Sequence, residues 1–127
     1  MDTVSEEILS RFNESWAETE KFYADLIDNN PDWDRLIPIY LFIQKLKKRG
    51  QNKYFRLGTS IHYLIISRSV ESGLRPDQKF IKINAIDNYF EVTLKDASKM
   101  FRQYTIKDLE DERLTGLLQT LKSTLID

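Results

Sequence analysis

Residues 79–96 read KFIKINAIDNYFEVTLKD, and apolar side chains recur there at every second position on both sides of Asp87-Asn88. This alternation is typical of strands that bury one face and leave the other face polar. Aspartate and asparagine tolerate the backbone angles of tight turns. The stretch therefore predicts two antiparallel strands joined by a hairpin turn, whose buried face consists of Ile81, Ile83, Ala85, Phe90, Val92 and Leu94.

The chain after this hairpin predicts one more strand and a closing helix. Residues 100–105 continue the strand pattern. From Asp108 onward a run of acidic residues precedes a leucine stripe, and acidic side chains in a first turn are favoured by the helix dipole. We therefore predict a last helix that begins at Asp108 and faces the core with Leu114, Leu117, Leu118, Leu121 and Leu125.

The first 30 residues predict a long amphipathic helix. Thr3 and Glu6 have the spacing of a capping box. The apolar stripe that follows has helical steps of three and four and consists of Leu9, Phe12, Trp16, Thr19, Tyr23 and Leu26. This helix of about 25 residues is expected to end before Asn29-Asn30-Pro31, because proline forces the preceding residue out of the helical region.

A second helix is predicted from Asp32 or Arg35 to Arg49, followed by Gly50 in the position that usually closes a helix. Pro38 allows two interpretations. Either the helix begins at Pro38 after a short turn, or it kinks there. Residues 37–43 are apolar on nearly all sides, which predicts that this helix is deeply buried.

The segment 58–74 fits two structures. Residues 61–66 could form a buried strand, although Tyr63, Ile66, Val70 and Leu74 also share one helical face. The flanking residues favour a helix. Thr59 or Ser60 could cap its start, and Gly73 followed by Leu74 is the usual helix-ending pair.

Together these elements predict an α+β fold: an N-terminal helical hairpin, a small antiparallel sheet of about three strands, and a C-terminal helix packed on the sheet. The 127 residues fit a single domain spanning 1–127. The chain has no cysteine, its start lacks an export signal, and the apolar run 36–43 is too short to cross a membrane. We expect a soluble, cytoplasmic protein without membrane association.

Charge is distributed unevenly along the chain. Residues 1–34 carry ten acidic and two basic side chains, a net charge of −8, whereas residues 35–56 carry seven basic and no acidic side chains. The remaining 71 residues carry ten of each sign. The acidic first helix could attract a basic partner, and its heptad-like stripe leaves self-association as a homodimer open.

The basic segment 45–56 is the first candidate binding site. Its cations are Lys45, Lys47, Lys48, Arg49, Lys53 and Arg56, with Tyr54 and Phe55 among them. Cations mixed with aromatic residues suit nucleic acid or another anionic ligand. The alternative is a solvated helix end, stabilised by the helix dipole and by pairing with acidic residues of the first helix. The pI of 5.9 limits any basic surface to a local patch.

A second candidate ligand site follows directly in the sequence. Arg56, Gly58, Thr59, Ser60 and His62 form the densest polar group in an otherwise apolar neighbourhood. A turn here could offer backbone amides to a phosphate at a helix start. The single glycine matches neither the Walker nor the dinucleotide-binding pattern.

Catalytic patterns have little support in the sequence. His62 is the only histidine, so a two-histidine metal site cannot form, and no nucleophile elbow surrounds Ser67 or Ser69. Asp32 and Asp34 are explained as acids at a helix start. We therefore predict no catalytic residues, no metal and no cofactor. The sequence favours a non-enzymatic module that binds another protein or itself, with nucleic-acid or anionic-ligand binding through residues 45–56 as the alternative.

Overall fold

A computed structural model describes residues 6–70, 78–96 and 99–124 of the chain. Three α-helices and five strands lie in this part, together with two short 3₁₀ helices, Pro31–Leu36 and Gln51–Lys53. The α-helices are α1 (Glu6–Asn29), α2 (Ile37–Lys48) and α3 (Glu112–Lys122). The strands are β1 (Arg56–Ser60), β2 (Tyr63–Ser67), β3 (Lys79–Ile86), β4 (Tyr89–Asp96) and β5 (Lys99–Ile106). The predicted α+β class is confirmed.

The five strands form one antiparallel sheet in the order β1-β2-β3-β4-β5. The predicted hairpin of residues 79–96 is its centre, since Lys79 pairs with Asp96 and Ile86 with Tyr89. Asp87 opens the connecting turn with a φ of 33°, which aspartate tolerates better than most residues. The third predicted strand is β5, which pairs with β4.

The prediction of a helix over residues 58–74 is wrong for the described part of that segment, and so the sheet has five strands instead of three. Residues 56–67 form the hairpin β1-β2, in which Ser60 pairs with Tyr63. Cross-strand pairing with β3 buries Leu64 and Ile66, so tertiary packing outweighs the local capping signals at Thr59 and Ser60. Gly73 and Leu74 lie outside the described residues.

The two N-terminal helices follow the predicted pattern. α1 buries Phe12, Trp16, Thr19 and Tyr23 from its predicted stripe, while Thr3 lies outside the described residues. α2 has Pro38 in its first turn and follows the 3₁₀ helix Pro31–Leu36. Of the two interpretations of Pro38, the helix start is therefore correct. Gly50, with a φ of 78°, lies just past the C-cap Arg49, as expected for a closing glycine.

The last helix begins four residues later than predicted. The carboxylate of Asp108 accepts a hydrogen bond from the amide of Glu110 and so closes a separate turn. Asp111 is the N-cap of α3, because its carboxylate accepts from the amide of Arg113 at 2.9 Å. Leu114, Leu117 and Leu121 are buried and Leu118 is partly buried, whereas Leu125 lies outside the described residues.

All three helices share one core with the alternating apolar residues of the sheet. α1 also covers the outer edge of β1. The indole nitrogen of Trp16 donates to the carbonyl of Phe55 at 2.8 Å, and the amide of Leu57 donates to the hydroxyl of Ser15 at 3.0 Å. An edge strand presents unpaired backbone groups that can pair with other chains, and α1 occupies two of these groups. Within the described ranges, no helix is long and apolar enough to cross a membrane.

Candidate functional site

The basic segment 45–56 does not form one surface. Lys45 and Arg49 lie on the same side of α2 and both contact the carboxylate of Glu110, at 3.7 and 3.2 Å. Lys47 points to the other side of the helix, where its ammonium is 3.1 Å from the carboxylate of Glu20 in α1. These contacts favour the explanation that the cations stabilise a helix end and pair with acids of the same chain.

The rest of the basic segment is also divided. Lys48 and Lys53 are exposed, and neither forms an ion pair with another residue in the part of the chain that the structure describes. Arg56 belongs to β1, and one of its guanidinium nitrogens donates to the carbonyl of Val70 at 3.0 Å. Residues 45–56 pass from an α-helix through a 3₁₀ helix into a strand, so their side chains point in different directions.

The second candidate ligand site, the polar group of residues 56–62, is brought together more closely than the basic segment 45–56. Arg56, Gly58, Thr59 and Ser60 line a cleft of about 250 Å³ on β1-β2, with Leu57 and, from β2, Ile65 and Ser67. Side chains alternate between the two faces of a strand, and Leu57, Leu64 and Ile66 point into the core. The cleft therefore lies on the face of the sheet opposite the helices. We name this site, defined by these seven lining residues, the β1-β2 cleft.

Gly58 leaves room in this cleft. It pairs with Ile65, which is only 5% exposed. Its φ lies outside the left-handed region, and a Cβ at this position would meet no atom within 4 Å. Neither backbone conformation nor packing requires glycine here, although glycine inside a strand costs about 0.5–1 kcal/mol relative to alanine. Interior strand glycines often mark the close approach of a ligand or another backbone.

Among the described residues, Arg56 is the only charged one that lines the β1-β2 cleft. The next cation on this face is Lys82, because it pairs with Ile65 across β2 and β3. Its ammonium lies 5.0 Å from the centre of the Tyr63 ring. On its other side, Arg56 borders a separate groove with Glu14 and Glu18 of α1. None of the described carboxylates is within ion-pair distance of the Arg56 guanidinium.

His62 does not line the cleft, although it was predicted with the same group. It occupies the turn between β1 and β2, and its carbonyl accepts a hydrogen bond from the Tyr23 hydroxyl at 3.0 Å. Its ring lies 5.2 Å from that of Trp33 and 4.7 Å from that of Tyr63, centre to centre. Burial and the nearby charge of Arg35 lower the pKa of His62, against a smaller opposing effect of a hydrogen bond with Asn84.

The serines considered with His62 lie too far away for nucleophilic catalysis with it. Ser67 is the last residue of β2, five residues beyond His62. An extended chain rises about 3.3 Å per residue, which separates the two by roughly 16 Å. Among the described residues, no group of three or more histidine, aspartate or glutamate side chains could hold a metal ion.

A surface at one end of the sheet was not predicted from the sequence. Among the described residues, the large hydrophobic side chains that are exposed are Ile37 (38%), Leu41 (49%), Ile61 (77%) and Tyr89 (37%). The turns β1-β2 and β3-β4 lie at the same end of the antiparallel sheet, and the 3₁₀ helix Pro31–Leu36 bridges them to the start of α2. We name this region, defined by the four exposed residues, the turn-end surface.

Contacts across this end link the elements that carry these four residues. Trp33 lies against His62, and its ring is also covered by the guanidinium of Arg35 at 4.5 Å. The Arg35 side chain donates to the carbonyl of Ala85 in β3 at 3.3 Å. Leu41 and Phe90 line one groove beside the start of α2. The 3₁₀ helix thus contacts both hairpins, β1-β2 and β3-β4, and leads directly into α2.

Ile61 is the unusual residue of the turn-end surface. It is the first of two residues between the paired Ser60 and Tyr63, and its φ is 59°. Turns of this length favour glycine, asparagine or aspartate at positions with positive φ. A β-branched residue in this region is a strained outlier, and such strain concentrates at functional sites. Neither residue of Ile61-His62 is glycine, asparagine or aspartate, so the sequence does not indicate a hairpin turn at this position. The flanking residues favour a helix instead.

Acidic side chains surround the turn-end surface. Five exposed aspartates lie at the ends of the elements that meet there: Asp28, Asp32, Asp34, Asp87 and Asp108. The described cations near this end are Arg35, Lys82, Lys45 and Lys107, the last two in the same groove as Leu41. The five aspartates outnumber these four cations, so the surface combines an apolar centre with a slightly acidic rim.

Comparison of the chain with protein-family models, with curated proteins and with solved structures finds no match in any of the three.

Proposed function

We propose that the chain is a non-enzymatic binding module that recognises another protein through the turn-end surface. The observation that carries this proposal is the collection of Ile37, Leu41, Ile61 and Tyr89 at one end of the sheet, with Ile61 held exposed at a positive φ. Apolar anchors inside a polar rim are the usual anatomy of a protein interface.

The charge of the rim selects the kind of partner. Asp32, Asp34 and Asp87 are exposed next to the apolar residues. A partner with Lys or Arg around an apolar contact patch would be attracted and oriented by this negative field. A second copy of the same surface would instead oppose acid to acid, so the rim favours a different, basic protein over a homodimer.

Nucleic-acid or anionic-ligand binding through residues 45–56 receives less support. The cations Lys45, Lys47 and Arg49 already pair with carboxylates of the same chain. A phosphate backbone would have to displace these acids before it could use the cations. The predicted alternative therefore ranks below the protein-binding proposal.

The test is affinity capture from a cell extract of the source organism with the immobilised wild-type chain and three variants. Ile61→Asp and Leu41→Asp add a charge at the apolar centre, and aspartate tolerates the positive φ at position 61. Lys53→Asp is the matched control at an exposed position elsewhere. Circular dichroism should show that all four chains are folded.

We expect a basic protein that wild type and Lys53→Asp capture and that both turn-end variants lose. Its association with the purified chain should slow as salt rises, because salt screens the acidic rim. Capture of the same proteins by all variants, or of none by wild type, would contradict the proposal. A homodimer that Ile61→Asp dissociates would instead identify a second copy as the partner.

A further inference from the structure

The β1-β2 cleft is separate from the turn-end surface and has a different chemical character. The polar side chains on its face of the sheet are Arg56, Ser60 and Ser67, and Ile65 forms its apolar floor. The turn-end surface is apolar with acidic neighbours, whereas the cleft carries a cation.

We propose that the β1-β2 cleft binds a small organic anion, such as a carboxylate or a phosphate monoester. The anionic group is held by the guanidinium of Arg56 and by the hydroxyls of the cleft. The apolar part of the ligand lies over Gly58 and Ile65. This site is independent of the proposed protein-binding surface, so either can fail without the other.

The positive charge of Arg56 favours an anionic ligand in the cleft. Arg56 keeps further guanidinium donors beyond the one nitrogen that binds the Val70 carbonyl. Lys82, the next cation on the same face, lies one strand beyond Ile65. None of the described lining residues is a carboxylate, and Glu14 and Glu18 line a separate groove on the other side of Arg56. A guanidinium binds carboxylate or phosphate through parallel hydrogen bonds.

Gly58 leaves space in the cleft that a side chain could fill. A side chain at this position would fit the fold, because the built Cβ has no neighbour within 4 Å. The same Cβ would project into the cleft, on the face that Gly58 shares with Ile65. Glycine therefore keeps the cleft open, although a β-branched residue would favour the strand conformation more at this position.

Ser67 of β2 supplies a buried hydroxyl across the cleft from β1. It lines the cleft and is 3% exposed. That hydroxyl accepts a long 3.4 Å hydrogen bond from the amide of Ser69, so its own hydrogen remains available to a ligand oxygen. The cleft thus offers the Ser67 hydroxyl next to Arg56, since the two residues pair across β1 and β2.

The test uses NMR titration of the isotope-labelled full chain with phenyl phosphate and with benzoate, and with benzyl alcohol as the neutral probe. We expect millimolar binding of at least one anion, with the largest amide shifts in residues 56–60 and 65–67. The neutral probe should bind at least tenfold more weakly. The two anions separate a phosphate site from a carboxylate site.

Two variants and two controls locate the binding. Arg56→Gln removes the cation, and Gly58→Val fills the cleft with a residue suited to a strand; both should lose the anion-induced shifts. Lys53→Gln and Gly116→Ala make similar changes at exposed positions outside the cleft and should retain them. Amide spectra of the free variants show whether each is folded.

Four outcomes would overturn the proposal. No shift at millimolar anion would exclude the site. Shifts spread over exposed lysines such as Lys48 and Lys53 would indicate adventitious ion binding only. Equal binding of benzyl alcohol would show an apolar cleft without selection for charge. A folded Gly58→Val chain that binds the anion as wild type does would place the anion elsewhere.

Discussion

The amide of Leu57 donates a hydrogen bond to the hydroxyl of Ser15, with 3.0 Å between nitrogen and oxygen. The same hydroxyl donates to the carbonyl of Phe12 at 2.6 Å. A serine in the middle of α1 thereby completes the hydrogen bonding of an edge strand. Helix and strand are linked by a polar contact that lies inside the core.

Ser15→Ala should destabilise the protein. The substitution leaves the buried Leu57 amide without its acceptor, and an unsatisfied buried group costs about 1–3 kcal/mol. Urea denaturation measures the free energy of unfolding. Ser10→Ala, on the exposed side of the same helix, is the control and should be neutral or slightly stabilising. Equal effects of the two substitutions would show that the Ser15 contact is unimportant.

Ile61→Gly should stabilise the protein by about 1 kcal/mol, because glycine adopts a positive φ without steric cost. Little burial is lost, since Ile61 is 77% exposed. Ile61→Ala keeps the unfavourable backbone angle and should show no such gain. Thermal unfolding distinguishes the two. A destabilised glycine variant would show that the angle is not strained.

His62 should titrate below its ordinary pKa of 6.5 in the folded protein. It is the only histidine, so its ring proton signals follow one group in an NMR pH titration. The unfolded chain takes up a proton near pH 6.5 while the folded chain resists it, so stability should fall as the pH drops below 6.5. His62→Gln should lose this part of the pH dependence. A midpoint at or above 6.5 would contradict the prediction.

Tyr23 should make the protein sensitive to alkali. Burial raises the pKa of its hydroxyl well above 10.0, and the hydroxyl donates to the carbonyl of His62. Above about pH 10 the unfolded chain releases this proton more readily than the folded chain, which lowers stability as the pH rises. Tyr23→Phe should lose about 0.5–1.5 kcal/mol at neutral pH and show a flatter alkaline decline. An unchanged decline would assign it to other tyrosines or lysines.

Glu110→Gln should have a small effect, at most about 1 kcal/mol, because its ion pairs with Lys45 and Arg49 are exposed to solvent. The effect should shrink with added salt. Glu14→Gln, at an exposed position of α1, is the control. Chemical denaturation at low and high salt measures both. A loss that is larger and independent of salt would mean that Glu110 does more than neutralise the end of α2.

Elements with a local pattern could be predicted from the amino-acid order. Alternation fixed the β3-β4 hairpin and its turn at Asp87, and helical spacing fixed the buried stripe of α1. Pro38 and Gly50 marked the start and end of α2. Each of these signals depends on residues a few positions apart, which is the range over which backbone preference and side-chain period act.

Tertiary structure alone decided the hairpin β1-β2 and both proposed sites. Ile65 and Ile66 are apolar on successive positions, so periodicity could not separate a strand buried on both faces from a helix. Pairing of β2 with β3 resolved the ambiguity. The pairing of β1 with β2 placed Arg56 opposite Ser67 and His62 in the turn. The packing of the 3₁₀ helix against this turn set His62 beside Trp33, because contacts between residues distant in the chain depend on how the sheet and helices pack.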